Sequence, residues 1–418
     1  MGDTSEERQT KALILSSIGV FYSKVGEKRK AIDHYEQSLL IWRTLNDRTA
    51  KLGEGITLNN IGRAYSDLGE HQKALHYFNQ SLVCSRSVGN RSGEALTLAS
   101  IGIVHHRLGE NQKALDQLNQ ALPINREVGN QSFEAMTLST FGKVYSALGV
   151  QSLFLVYHNL ALYMYRSLGD QSSEGTILNN IGGVYDRLGE KQKSIDYYKQ
   201  ALPLLALTGN RSIEGRALNN IGRVYYALDE HQKSLSYHNQ ALPILRSVGD
   251  RPGEAITLNN VGYVLASQKQ PELAIVFYKQ SISIYETLCQ DIRTLPKETQ
   301  QTYTKTIEGT YRELANLLLK ADCILEAQQV LDLLKVQELN TYLKNVRGAS
   351  QPLENLSPEA EILKKYNAIQ SSAIALGQEL TTLRQTPEPA RTPQQIDRLT
   401  QLDKLQDELN EQFNQFTD

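Results

Sequence analysis

The polar residues that recur most regularly in this chain are paired asparagines, whose chemistry is hydrogen bonding rather than bond cleavage. Each pair directly follows a leucine, and the pairs are Asn59-Asn60, Asn179-Asn180, Asn219-Asn220 and Asn259-Asn260. A carboxamide carries both donors and an acceptor, so it can pair with the backbone of an extended peptide whatever the peptide's side chains are. The sequence therefore predicts a peptide-binding surface built from repeated amides.

Other polar and aromatic residues keep a fixed distance from the same leucines. Those five residues after the leucine include Arg63, Lys143, Arg223 and Tyr263, and those eight or nine after it include Tyr226 and Arg187. Basic groups at these positions would favour acidic side chains or a carboxylate. A solvated charged face explains the arginines equally well, so both interpretations remain open at the level of sequence.

No pattern in the sequence supports catalysis, a metal site or a cofactor. The chain contains no Gly-x-Gly-x-x-Gly, no Walker pattern and no His-Glu-x-x-His. The net charge of −2 provides no basic field for nucleic acid, and no apolar run reaches the roughly 18 residues of a membrane span. We therefore expect a soluble, cytoplasmic protein that is not an enzyme and binds neither nucleic acid nor membrane.

Glycine recurs at an interval of 40 residues, and this interval decides the fold prediction. The positions are Gly62, Gly102, Gly142, Gly182, Gly222 and Gly262, with an earlier copy at Gly19. Apolar residues at helical spacing, such as Leu58, Ile61 and Tyr65, indicate two helices per interval. A fixed period of this size indicates stacked helix pairs. We predict an all-α, right-handed superhelical α-solenoid of about seven to eight helix-turn-helix repeats, whose first helices line a concave groove.

The same pattern divides the chain into five segments. They are a polar tail at 1–9, seven repeats at 10–288, a divergent capping repeat at 289–347, a linker at 348–356 and a C-terminal helical hairpin at 357–418. Terminal repeats are normally atypical, which fits the fading of the pattern after Leu288. The hairpin prediction rests on Ser357-Pro358 as a helix start and on leucines at helical spacing from Leu399 onward.

The repeat resembles the tetratricopeptide repeat. The small and large positions of one unit are Leu58, Ile61, Gly62, Tyr65, Ala74, Phe78 and Ser81. The period exceeds the usual 34 residues, and the Leu-Asn-Asn opening is similar to repeats of the kinesin light chain type. That resemblance implies a peptide groove lined by Asn59, Asn179, Asn219 and Asn259. One asparagine of each pair could instead bond to the neighbouring repeat and stiffen the stack, a use that fits Asn60, Asn180, Asn220 and Asn260.

The array from about residue 10 to 347 also resembles the N-terminal half of cyanobacterial tetratricopeptide proteins that end in a caspase-like CHAT domain. The stretch from Lys335 to Asn340 looks like the segment that precedes this domain. No His/Cys dyad region of such a protease is present, so no catalytic residue is carried over. The resemblance implies an adaptor or regulatory arm that binds a protein or peptide, with a CHAT-type protease as a candidate partner.

A second hypothesis keeps the same fold but changes the working surface. The chain would be an assembly scaffold that self-associates or docks through its convex face and its C-terminal helices. The sequence leaves the identity of the ligand and the oligomeric state open.

Overall fold

The computed structural model describes residues 4–291, 297–321, 323–342 and 391–417, and part of 361–383. These residues form α-helices joined by tight turns, and no strand occurs among them. No helix in this part of the chain is long and apolar enough to span a membrane. The prediction of an all-α array of tandem helix pairs is confirmed.

The first of two compact units, Met1–Asp170, contains four helical hairpins. They are α1 (Ser5–Lys24) with α2 (Lys28–Arg43), α3 (Arg48–Asp67) with α4 (His71–Ser87), α5 (Arg91–Arg107) with α6 (Asn111–Glu127), and α7 (Gln131–Ala147) with α8 (Gln151–Leu168). Within this unit, each second helix also packs on the first helix of the next hairpin. The hairpins therefore form a stack in which each contacts its sequence neighbours.

In its described residues, the second unit, Gln171–Asp418, continues the pattern with four more hairpins, helical residues within 361–383 and a last helix. The hairpins and the last helix are α9 (Gln171–Arg187) with α10 (Lys191–Leu207), α11 (Arg211–Tyr226) with α12 (His231–Ser247), α13 (Arg251–Ser267) with α14 (Pro271–Asp291), α15 (Lys297–Lys320) with α16 (Ile324–Tyr342), and the single helix α17 (Pro393–Thr417). The helix α17 packs on α12, where its Leu402 side chain is buried. The linker expected at 348–356 lies outside the described residues, as does most of the first helix of the expected C-terminal hairpin.

The first helix begins earlier than the sequence analysis placed it. The Thr4 hydroxyl accepts a hydrogen bond from the Glu7 amide at 3.2 Å, and the Glu7 carboxylate accepts one from the Thr4 amide at 2.6 Å. This reciprocal capping box satisfies two amides at the helix start. Residues from Ser5 onward, which the sequence analysis assigned to a polar tail at 1–9, therefore belong to α1.

The first seven hairpins depend on a close approach between a glycine of the first helix and a bulky side chain of the second. A Cβ atom on Gly62 would lie 2.7 Å from the ring of Phe78, and one on Gly182 would lie 2.9 Å from the ring of Tyr198. An added methyl group would overpack both contacts. The glycine repeated every 40 residues is therefore a packing requirement.

A buried glutamate near the start of a first helix joins neighbouring hairpins. The Glu94 carboxylate accepts hydrogen bonds from Arg86 on α4 at 2.8 Å and from Arg91 on α5 at 2.7 Å. Burial alone would raise the pKa of Glu94, but the two guanidinium groups more than offset this effect and lower it. Glu254 accepts a corresponding bond from Arg246 at 2.7 Å. These ion pairs fix the connection from one hairpin to the next.

Two hairpins place a histidine where the others have phenylalanine, leucine or tyrosine. His158 and His238 are fully buried, and none of their ring nitrogens has a hydrogen-bond partner among the described residues. Burial lowers the pKa of both imidazoles to about 3, helped by the nearby charge of Lys143 for His158 and of Arg223 for His238. Both rings are therefore neutral core side chains.

Acidification should destabilise the protein through these two rings. Between about pH 6.5, where histidine titrates in the unfolded chain, and about pH 3, the unfolded state binds more protons, so stability falls as the pH falls. The loss should reach about 1.4 kcal/mol per pH unit for each histidine. The double variant His158→Leu, His238→Leu, which copies Leu118 of the third hairpin, should flatten this dependence.

The measurement is the midpoint of urea unfolding, monitored by circular dichroism, at about pH 7.5 and at about pH 5. His76→Gln is the control, because this exposed side chain can be replaced with both buried rings left in place. If the stability of the native chain and that of the double variant depended on pH equally, the pH dependence could not be assigned to His158 and His238.

Candidate functional site

The first helices of each unit form an inner layer. In the first unit α1 contacts α3, α3 contacts α5 and α5 contacts α7, and in the second unit α9 contacts α11 and α11 contacts α13. We use the name inner face for the positions one, two, five, eight and nine residues after the leading leucine of each first helix. The first unit's inner face carries the candidates Asn59, Asn60, Arg63 and Lys143. The second unit's inner face carries Asn179, Asn180, Arg187, Asn219, Asn220, Arg223, Tyr226, Asn259, Asn260 and Tyr263.

In the first unit, one asparagine of the pair bonds to the neighbouring hairpin. Asn59 is buried, and its Nδ2 donates to the Thr97 hydroxyl on α5 at 3.1 Å. The adjacent Asn60 is half-buried and has no hydrogen-bond partner among the described residues. Because a buried amide without a partner is costly, the Asn59–Thr97 bond stabilises the stack.

The second unit uses its asparagines in the same way. Asn219 accepts a hydrogen bond from Asn260 at 3.0 Å, and Asn259 accepts one from the Thr310 hydroxyl on α15 at 2.8 Å. The Asn179 Oδ1 atom is buried and has no partner within the described residues. Asn180 and Asn220 are half-buried, and among the described side chains none bonds to either of them. Four of the eight paired asparagines therefore bind a neighbouring hairpin.

A buried carboxylate organises the charges of the second unit's inner face. Asp186 on α9 is only 5% exposed, and it accepts a hydrogen bond from Arg223 on α11 at 2.6 Å. Its other oxygen accepts from Lys191 at 2.6 Å. Arg223 is therefore engaged in an ion pair between two hairpins, whereas Arg187 is exposed on α9.

The basic residues of the first unit are arranged differently. Arg63 and Lys143 are exposed, and neither has a carboxylate or hydrogen-bond partner among the described residues. Desolvation by neighbouring protein atoms, with a smaller contribution from the charge of Arg107, lowers the pKa of Lys143. Arg107 itself donates to the Ser66 carbonyl and hydroxyl, both at 2.9 Å. Two cations on this face thus remain available to an anion.

The two candidate tyrosines are held by other aromatic rings. The Tyr263 ring meets the Tyr278 ring edge to face with centroids 5.6 Å apart, and the Tyr226 ring lies 5.5 Å from the His231 ring. Burial raises the pKa of Tyr263, so its phenol stays protonated at neutral pH. Both rings are half-buried and present a polar edge on the second unit's inner face.

Hydrogen bonding and charge pairing are the chemistry that these inner faces offer. Within the described residues, no group of three or more His, Cys, Asp or Glu side chains is placed to hold a metal ion. The arrangement can bind a polar or anionic chain.

Sequence reasoning missed the partners that occupy the inner-face side chains. Thr97 and Thr310 receive no emphasis from the repeat pattern, and Thr310 lies on α15, beyond the strict period. Lys191 carried only a weak signal, because lysine recurs at the equivalent position of the first hairpin, Lys28, whereas the other hairpins have His71, Asn111, Gln151, His231 and Pro271.

Two family models, both described as tetratricopeptide repeat, match the chain. One matches residues 10–87, 53–127 and 214–287, and the other matches residues 175–203. Together they cover more than half of the sequence. The chain belongs to the tetratricopeptide-repeat family. No curated protein matches it significantly.

Several solved structures have a similar fold. A STAND ATPase with a tetratricopeptide repeat sensor from Pyrococcus horikoshii aligns with a TM-score of 0.58 and 17% identity, over 80% of this chain and 47% of that one. Aspartyl phosphate phosphatase F from Bacillus subtilis aligns with a TM-score of 0.53 and 15% identity, over 77% and 78%. A Rap protein complexed with Competence and Sporulation Factor aligns with a TM-score of 0.53 and 16% identity, over 67% and 76%.

The inter-hairpin amide bonds predict different effects for adjacent asparagines. Asn219→Ala should lower the free energy of unfolding by about 1 kcal/mol, because it removes the acceptor of Asn260. Asn220→Ala should cause no loss, because no hydrogen bond to another described residue is removed. Both variants gain the same helix propensity, so their difference in urea midpoint isolates the bond. Equal midpoints would contradict a stabilising role for Asn219.

Proposed function

We propose that the first unit's inner face binds an extended, acidic segment of a partner protein, and that the chain acts as an adaptor or regulatory arm. The observation that carries this proposal is the pair of exposed cations Arg63 and Lys143, which have no anionic partner in the described structure. A charge-assisted bond to a carboxylate is among the stronger polar contacts available on a protein surface.

The spacing of the two cations suggests the length of the bound segment. Arg63 lies on α3 and Lys143 on α7, two repeat steps apart. Packed helices lie about 10 Å apart, so two steps span about 20 Å. An extended chain advances about 3.3 Å per residue, and about six residues bridge this distance. The half-buried amide of Asn60 has no partner among the described residues and lies beside this path, where it can bond to the ligand backbone.

The second unit offers a more neutral surface of the same kind. Its candidates are the amides of Asn180 and Asn220, the exposed Arg187, and the ring edges of Tyr226 and Tyr263. Asn219 and Asn259 already bond to neighbouring hairpins, and Arg223 pairs with Asp186. We assign Asn219 and Asn259 mainly to stiffening of the stack. Their part in peptide binding is therefore smaller than the sequence alone suggested.

Proteins of the same fold support a binding role. The Rap protein was solved in complex with Competence and Sporulation Factor, and the Pyrococcus protein carries its tetratricopeptide repeats as a sensor. The finer proposal, that this arm regulates a CHAT-type protease in the cytoplasm, rests on sequence resemblance alone. In the general proposal and in this finer one, the chain binds a partner protein and does not catalyse a reaction.

The alternative scaffold through the C-terminal helices is less favoured. The helix α17 packs on α12 within the same chain and its Leu402 is buried, so part of that apolar stripe is already used. Of the other described leucines of the stripe, Leu399 is half-buried and Leu405 is exposed.

Fluorescence anisotropy with two labelled peptides tests the proposal. One peptide carries two glutamates about six residues apart, and the other carries glutamines at the same places. The glutamate peptide should bind more tightly, and the variant Arg63→Ala, Lys143→Ala should lose about tenfold or more of that affinity. Added salt should weaken the binding, because exposed charges are screened.

The control variant removes the same charge elsewhere. Lys113→Ala, Arg126→Ala deletes two basic residues from the second helix α6, where both pair with glutamates. It should bind the glutamate peptide like the native chain. Equal affinity for the two peptides, or equal loss in both double variants, would contradict the proposed site.

A further inference from the structure

The first helix carries an exposed apolar face that the proposed function does not use. Leu13, Ile14 and Phe21 are 57%, 55% and 61% exposed. Together with Thr10, Ser17 and Ile18 they line an open groove of about 430 Å³. Large apolar side chains grouped at this exposure usually mark an interaction surface.

The repeat register shows what kind of surface this is. Ile14, Ile18 and Phe21 of α1 correspond to residues 43 positions later in α3, namely Thr57, Ile61 and Ala64. In α3 these three residues are 1% exposed or less, because α1 and α2 pack on that helix. The groove on α1 therefore combines the stacking positions Ile14, Ile18 and Phe21 with Leu13, whose counterpart Ile56 is 52% exposed in α3, and no described residue covers it.

The charges at the two ends of α1 distinguish between possible occupants. Residues 6, 10, 13, 17, 20 and 24 are spaced by alternating steps of four and three, so they lie along one side of the helix. Glu6 begins this line and Lys24 ends it, and the positions between them are uncharged. In an antiparallel pair of α1 helices, each Glu6 would lie beside Lys24 of the other copy. A parallel pair would place like charges together.

We propose that this face binds the same face of a second copy, so that two α1 helices pair antiparallel about a two-fold axis. Such an isologous contact requires a self-complementary patch. The α1 face meets this requirement, because Thr10 would face Val20 and Leu13 would face Ser17 across the axis. Two helices of 20 residues bury less than the roughly 800 Å² per partner of a standard interface. The dimer should therefore dissociate within the range of about 1 to 100 µM.

Sedimentation equilibrium of the full chain across that concentration range tests the proposal. The native chain should show a concentration-dependent dimer. Phe21→Arg should leave only monomer at every concentration. Leu40→Arg is the matched control, because Leu40 is 66% exposed on α2 and lies off the α1 face, and it should leave the dimer intact.

A charge swap tests the antiparallel arrangement. Glu6→Lys alone and Lys24→Glu alone should each weaken the dimer about tenfold, because each dimer contains two such pairs. The double variant Glu6→Lys, Lys24→Glu should restore the native dimer. Glu6 and Lys24 could instead act only on the dipole of their own helix. In that case the double variant would be the least helical of the three variants and would not restore the dimer, and circular dichroism would show the loss of helicity.

Three results would overturn the proposal. A chain that stays monomeric throughout the range would leave the α1 face to a different protein. A dimer that survives Phe21→Arg would place the contact elsewhere. A dimer that is lost with Phe21→Arg and weakened by each single charge variant, but that the double variant Glu6→Lys, Lys24→Glu does not restore, would exclude the antiparallel pairing.

Discussion

The contact between a glycine of one helix and a bulky side chain of the next helix determines how the helices of a hairpin pack. A second helix can approach its first helix closely where a glycine leaves space for the ring of Phe78 or Tyr198. The same contact recurs along the chain, so successive hairpins adopt similar geometry. Within each unit this brings the first helices against one another, and their polar residues meet on one inner face.

A polar residue of an inner face can bond to a neighbouring hairpin or to a ligand, and these two uses compete. Amides such as Asn59 and Asn219 satisfy neighbouring hairpins and so stabilise the stack, and the buried Asp186 joins two hairpins through Arg223. Each of these bonds makes its donor or acceptor less accessible to a ligand. The exposed cations Arg63 and Lys143 differ from these groups, because the described structure provides no anion for them. The binding role that we propose therefore falls on side chains that do not join one hairpin to the next.

Stacked repeats also create faces that sequence neighbours cannot cover. In the second unit, α17 packs on α12. In the first unit, the stacking positions of α1 have no such cover among the described residues, and its large side chains Ile14 and Phe21 stand where α3 has Thr57 and Ala64. The repeats thus have surfaces specialised for stacking and, on α1, an exposed apolar face that we propose binds a second copy.

The sequence by itself determined the helix pairs, their number and the family, because these depend on local periodicity and on glycines whose spacing is visible in one dimension. It also located the inner-face residues, because fixed offsets from a leucine fix the helix side. The tertiary structure alone decided which amide of each pair is occupied and which cation is paired. The partner of Asn59 lies 38 residues away and that of Asn259 lies 51 residues away, on a helix outside the strict period. Hydrogen bonds at such separations depend on how neighbouring hairpins pack, and that packing is not encoded in any single repeat.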